Sequence, residues 1–212
     1  MPLPNRLRTN SLFVELNEAV AQRDDAAVNE VLKGFMGVLE AATPLGAFPV
    51  EPLEKIIREL GDLFPDNPTY DDLFEHLVDF LEKRRSEGEG GCALLARGYQ
   101  KLKAEKYYDA IRLLGRAQEK LIKHEYRNEL ASALAGCGLA YKAVGLLWAA
   151  RTSTLAGVTQ LLGEFLEDGS ISTRALSYVQ NLMGAALLER RSRVVKPPSA
   201  GVGTHSVTYD YA

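Results

Sequence analysis

Between Cys92 and Phe165 the chain echoes itself at a spacing of forty residues. Leu94-Leu95-Ala96-Arg97-Gly98 returns as Leu134-Ala135-Gly136-Cys137-Gly138, and Ala110, Ala117 and Leu121 return as Ala150, Gly157 and Leu161. A small residue lets two helices approach, and a large apolar residue one turn away fills the space beside it. Recurrence of that pair at a fixed period is what stacked helix hairpins need, because each unit buries its apolar face only against its neighbours. The period therefore predicts an all-α chain of stacked antiparallel helix hairpins in a short right-handed α-solenoid. Stacks of this kind present extended surfaces to other macromolecules.

Composition is compatible with that reading. The 212 residues, 46% apolar and 25% charged, can bury a core as one domain or one short array. Ala, Leu, Glu and Lys abound, and all favour helix. The net charge of −3 is unevenly spread: residues 1–90 carry 9 basic and 18 acidic side chains, residues 91–212 carry 16 and 10. An acidic front half against a basic back half implies packing between neighbouring helices of opposite charge or a bipolar surface. Cys92 and Cys137 are too few for a disulfide framework and lack metal-ligand spacing, so they read as small apolar residues. The opening Met1-Pro2-Leu3-Pro4 carries no signal-peptide pattern, which places the chain in the cytoplasm. Residues 143–165 hold only Arg151 and Glu164 as charges, but polar Thr, Ser, Gln and Gly dilute the stretch below what a membrane span requires.

Punctuation sets the helix limits. Residues 1–9 read as an untethered lead, with Asn10 or Ser11 capping a helix to about Gln22 and Asp24-Asp25 opening a second to about Ala42. Residues 43–50 read as a loop. Helices follow over 51–63, from Thr69 as cap over 70–86, and, after a glycine-rich turn at 87–91, over 92–102, 107–123, 126–144, 146–167 and 172–190. Residues 191–212, with Pro197-Pro198 and no apolar period, read as a disordered tail. The expected divisions are N-terminal hairpins over 1–90, a repeat region over 91–190 and the tail over 191–212.

Leu94, Gly98, Lys106-Tyr107-Tyr108-Asp109-Ala110, Leu114 and Ala117 make a unit that resembles a tetratricopeptide repeat, and Leu134, Gly138, Tyr141, Gly145, Ala150 and Gly157 make a second. The spacing is similar to the lengthened repeats of bacterial signalling ATPases and transcription activators. The hairpin over 11–42 is a weaker third unit. No Trp opens each unit, no Pro closes it, and Thr154 stands where a large apolar residue belongs. The resemblance implies that the first helix of each pair lines a groove for a polypeptide. It implies partner-binding roles for Leu95, Tyr99, Leu102 and Lys103 from one unit and for Ser132, Leu139 and Lys142, beside Ala135 and Ala143, from the next, with Tyr99 as the aromatic anchor. The Lys and Asn pattern that clamps a terminal carboxylate in chaperone-tail binders is absent.

Arg112, Arg116, Lys120 and Lys123 share one face of the helix over 107–123, and Asp72, Glu75, Asp79 and Glu82 share one face of the helix forty residues earlier. Ion pairing between these neighbours is the expected use; docking of an acidic partner or of nucleic acid is the alternative. The three histidines, His76, His124 and His205, are far apart, and no nucleophile, base and orienting group assemble locally. The expectation is a protein-interaction scaffold or sensor module that is not an enzyme and takes no metal or cofactor. It would bind a protein or peptide, with self-association through an uncapped C-terminal end. A nucleic-acid-binding array on the basic face, or an accessory helical domain of a separately encoded enzyme, are the alternatives.

Overall fold

Three of the connections between consecutive helices use the same turn, and that turn explains where the helices before them stop. In a computed structural model of the chain, which describes residues 5–42 and 51–168, eight α-helices are described: α1 (Asn5–Gln22), α2 (Asp25–Ala42), α3 (Glu51–Leu60), α4 (Pro68–Arg84), α5 (Glu87–Lys103), α6 (Tyr107–Lys120), α7 (Arg127–Ala143) and α8 (Leu147–Asp168), with a 3-10 turn at His124–Tyr126 before α7. Between α1 and α2 the backbone N–H of Asp24 reaches back to Ala19 O at 3.0 Å; between α5 and α6, Lys106 N–H reaches Lys101 O at 2.9 Å; between α7 and α8, Leu146 N–H reaches Tyr141 O at 2.9 Å. The residue before each is left-handed: Arg23 (φ 54°), Glu105 (φ 60°) and Gly145 (φ 81°). This six-to-one closure satisfies carbonyls that the end of a helix leaves bare. The turn takes two or three residues, and the two helices that it joins pack on each other.

Among the described residues the fold is all-helical and consecutive helices pack in chain order, except that α2 packs directly on α4 and the short α3 lies against α4 and α5. Helix α5 touches α7 as well as α6, and α7 touches α8. One apolar core runs from Leu12 and Phe35 through Tyr70, Phe74 and Leu81 to Leu94, Leu121 and Ala133. A smaller cluster of Ala110, Leu114, Cys137 and Ala140 lies where α5, α6 and α7 meet. The repeated glycines sit at close approaches: a Cβ on Gly98 would fall 2.6 Å from the Leu114 side chain, and one on Gly138 would fall 2.5 Å from Thr154 Oγ1. Thr154 thus occupies the place of Leu114 one period on.

Several expected limits move. Helix α1 begins at Asn5, well inside the stretch read as a lead. Residues 87–91, read as a turn, are the first turns of α5. Ser86 caps them through Glu89 N–H at 3.2 Å, and Gly88, Gly90 and Gly91 are small because Tyr126, Glu82 and Leu121 fill the space where their side chains would go. The cap of α4 is Asn67, whose side chain accepts from Tyr70 N–H at 3.0 Å with Pro68 in the first turn, and not Thr69. Helix α3 ends at Leu60, and α6 at Lys120. The expected loop over 43–50, the helix over 172–190 and the tail over 191–212 lie outside the described residues.

Because a non-glycine residue in the left-handed region costs roughly 1–2 kcal/mol, Glu105→Gly and Arg23→Gly are expected to stabilise the protein. The net gain is held to about 1 kcal/mol or less by the added freedom of the unfolded chain. Gly145→Ala is expected to destabilise by about 1 kcal/mol, although nothing within 4 Å crowds the new methyl group. Urea unfolding midpoints of the three variants check this.

Candidate partner-binding face and its supports

The face expected to line a groove divides into a seam and a surface. Tyr99 on α5 donates its hydroxyl to Ser132 O on α7 at 2.8 Å, and its ring lies beside Gly136. Leu95, Tyr99 and Leu102 are half-buried against the cluster of Ala110, Leu114, Cys137 and Ala140. These residues hold α5 to α7: Tyr99, expected as an anchor for a partner, ties two helices together. Lys103, Leu139 and Lys142 stay at the surface, with Lys103 Nζ 3.6 Å from Asp62. Leu139 and Lys142 stand one period after Tyr99 and Leu102, on the corresponding face of α7.

The basic face of α6 meets the acidic face of α4. Arg116 forms a two-pronged bond to Glu75, its second nitrogen 2.8 Å from Oε2. Lys120 Nζ lies 2.8 Å from Glu82, and Lys123 Nζ lies 3.7 Å from Glu87. Hydrogen bonding to Glu75 raises the pKa of the Arg116 guanidinium further above its ordinary value. Among the described residues Arg112 pairs with Asp109 on its own helix, at 3.8 Å. Exposed pairs of this type contribute roughly 0–1 kcal/mol each, so they fix which helix lies beside which more than they add stability.

The most elaborate polar cluster was not anticipated. Helix α5 carries Leu94, Arg97, Gly98 and Lys101 at the spacing of a buried stripe, and both cations are buried. Arg97 donates to Gly61 O at 2.9 Å, to Phe64 O at 3.0 Å and to Asp71 Oδ1 at 2.7 Å, with its guanidinium 4.5 Å from the centre of the Tyr70 ring. Lys101 donates to Pro65 O at 2.7 Å and to Asp71 Oδ2 at 2.8 Å. Gln100 takes Arg58 O at 2.7 Å, and the Tyr70 hydroxyl takes Ile57 O at 2.6 Å. Side chains of α4 and α5 thus satisfy the carbonyls from the end of α3 through the following linker. Positive charge there suits the negative end of the α3 dipole. Burial raises the Tyr70 phenol well above its ordinary value, so it remains a donor. The sequence signal was present, two cations on an apolar stripe, but their acceptors are backbone atoms, which leave no mark in a sequence.

Neither thiol is set up for reaction. Burial pushes Cys92 and Cys137 up to about 11, with Glu129 and Glu89 adding to the shift at Cys92 and a 3.0 Å bond from Gln118 Nε2 opposing it at Cys137. His76 Nδ1 lies 3.8 Å from Glu40, beside a cleft of about 80 Å³ lined also by Leu39, Asp79, Phe80 and Lys83, well below the size of ordinary ligand pockets. The His124 side chain and His205 lie outside the described residues. Among the described residues no three His, Cys, Asp or Glu side chains converge as metal ligands, and no helix is long and apolar enough to cross a membrane. No protein-family model, curated protein or solved structure matches the chain.

Asp71→Asn removes the carboxylate shared by two buried cations. It is expected to cost about 2–3 kcal/mol, less than the 3–5 kcal/mol of a fully buried pair because the Asp71 side chain is 35% exposed; urea unfolding measures it. The thiols give a pH dependence. Below pH 9 they are protonated in both states; above the unfolded value of 9.0 and up to about 11 the unfolded chain ionises and the folded one does not, so stability falls as pH rises. The drop in unfolding midpoint between pH 8 and pH 10 is expected to be smaller in a Cys92→Ala/Cys137→Ala variant.

Proposed function

We propose that this chain is a protein-interaction module: a short right-handed α-solenoid of hairpins similar to lengthened tetratricopeptide repeats, holding a polypeptide partner against the α5 and α7 side. The observation that carries the reading is the recurrence of one turn. Arg23-Asp24, Glu105-Lys106 and Gly145-Leu146 repeat the same left-handed closure, and the last two also repeat the glycine contact at Gly98 and Gly138. Units built alike and stacked side by side generate a continuous row of first helices, the arrangement that receives extended or helical peptides in such arrays. Leu139, Lys142, Ala143 and Lys103 are residues of that row open to a partner. The reading places the protein in the cytoplasm, where free thiols stay reduced. An adaptor or sensor part of a larger regulator, or an accessory domain of a separate enzyme, would use the same face.

The nucleic-acid alternative has less support, since Arg116, Lys120 and Lys123 face Glu75, Glu82 and Glu87, and a neutralised face releases few counterions from a phosphate backbone. The test is a random peptide library selected on the wild-type chain, with binders measured by calorimetry in 0.05 M and 0.5 M salt. Binders that persist at high salt and weaken at least tenfold on Leu139→Glu/Lys142→Glu support the groove. Tyr99 is left intact because it holds α5 to α7. Binders indifferent to that variant, or a chain that selects none but retains RNA or DNA in a salt-dependent way, would overturn the reading.

A further inference from the structure

Five large apolar residues stand exposed on α6, just past its end and on α8: Tyr108 (74%), Ile122 (76%), Trp148 (79%), Leu155 (54%) and Leu162 (42%). Their positions are regular. Trp148, Leu155 and Leu162 are seven residues apart, which puts them on one stripe of α8, directly opposite the Ala150, Gly157 and Leu161 side that faces α7. One period earlier, Tyr108 and Gly115 lie on the face of α6 opposite Ala110 and Ala117, and Ile122 follows two residues past the end of that helix at Lys120. Stacking of hairpins does not cover this face. Helix α7 packs on α6 through the flank carrying Leu114, Ile111 and Gln118, and Tyr108 and Ile122 remain open beside it. Helix α5 lies against α7, and α6 and α8 each pack on one of these two helices.

We infer that this two-helix face is the dimerisation surface of the protein, and that its occupant is a second copy of the same face laid across it antiparallel. A two-fold axis perpendicular to the helices, passing at the level of Gly115 and Leu155, sets α6 on α6 and α8 on α8. Each series has an aromatic residue at its N-terminal end and an aliphatic one at its C-terminal end, Ile122 lying just past the end of α6, so reversal pairs Tyr108 with Ile122 of the second copy and Trp148 with its Leu162. At the axis Leu155 meets its own equivalent, and Gly115, where a methyl group would find nothing within 4 Å, lets the α6 pair approach. The charges agree. Arg112 and Glu119, both exposed on α6, flank the stripe on one side, and reversal brings each within about one residue of the level of the other on the second copy, an opposite-charge pair made twice. A parallel two-fold instead lays α6 over α8 and brings Arg112 toward Arg151. The five side chains expose roughly 700 Å² per chain, close to the ~800 Å² per partner of a standard stable interface.

The groove described above is not used, so the two proposals stand or fall separately. The test is sedimentation velocity of the full chain from 1 to 200 µM. A concentration-dependent dimer is expected. Leu155→Glu, an exposed substitution checked for unchanged helicity and melting temperature, is expected to weaken it at least tenfold by placing two carboxylates at the axis. An equimolar mixture of Leu155→Glu and Leu155→Lys chains is expected to restore it. Under mild oxidation, a mixture of Trp148→Cys and Leu162→Cys chains should form a mixed disulfide while neither chain cross-links to itself. A chain monomeric at 200 µM, a dimer indifferent to Leu155→Glu, or Trp148→Cys chains that link to one another would overturn the inference.

Discussion

The buried guanidinium of Arg97 holds together parts of the chain that have little else in common. It caps the carbonyls of Gly61 and Phe64, pairs with Asp71 at the start of α4 and lies over the ring of Tyr70. Desolvating such a group is costly unless its donors are satisfied; here two backbone oxygens, a carboxylate and an aromatic face satisfy most of them. With Lys101 on Pro65 O and Gln100 on Arg58 O, α5 grips the whole turn between α3 and α4. A short helix of ten residues is thereby tied to α4 and α5.

From α5 onward the logic changes from polar clamp to close packing. Gly98 and Gly138 bring the paired helices near, Tyr99 ties α5 to α7 through Ser132 O, and the Arg116–Glu75 and Lys120–Glu82 pairs align α6 with α4. The ion pairs give the uneven charge of the chain a structural meaning: acidic α4 and basic α6 are neighbours although nearly forty residues separate them. What the core and these ties leave over is informative. Lys142 and Leu139 remain exposed on α7, and Tyr108, Ile122, Trp148, Leu155 and Leu162 remain exposed on and after α6 and along α8.

Much of the helical content was legible beforehand because it depends on local periodicity and on capping residues within a few positions of each other. The contrast between the α5 start and the α5–α6 turn shows the limit. Glu87-Gly88-Glu89-Gly90-Gly91 reads as a breaker, since glycine lowers helix propensity. In the folded chain those glycines are helical because Tyr126, Glu82 and Leu121 leave no room for anything larger. The turn at Glu105 was placed correctly, but nothing in a glutamate announces a left-handed backbone.

The sequence by itself determined that the chain is helical, where most helices run, which residues are small at a forty-residue interval, and that the charges of α4 and α6 match, because each follows from spacing along a helix. The tertiary structure alone decided that Arg97 and Lys101 are buried clamps on backbone oxygens, that Tyr99 joins helices, and that Trp148, Leu155, Tyr108 and Ile122 face outward. Those outcomes depend on which carbonyls and which open spaces another segment of chain brings alongside, and only folding puts them there.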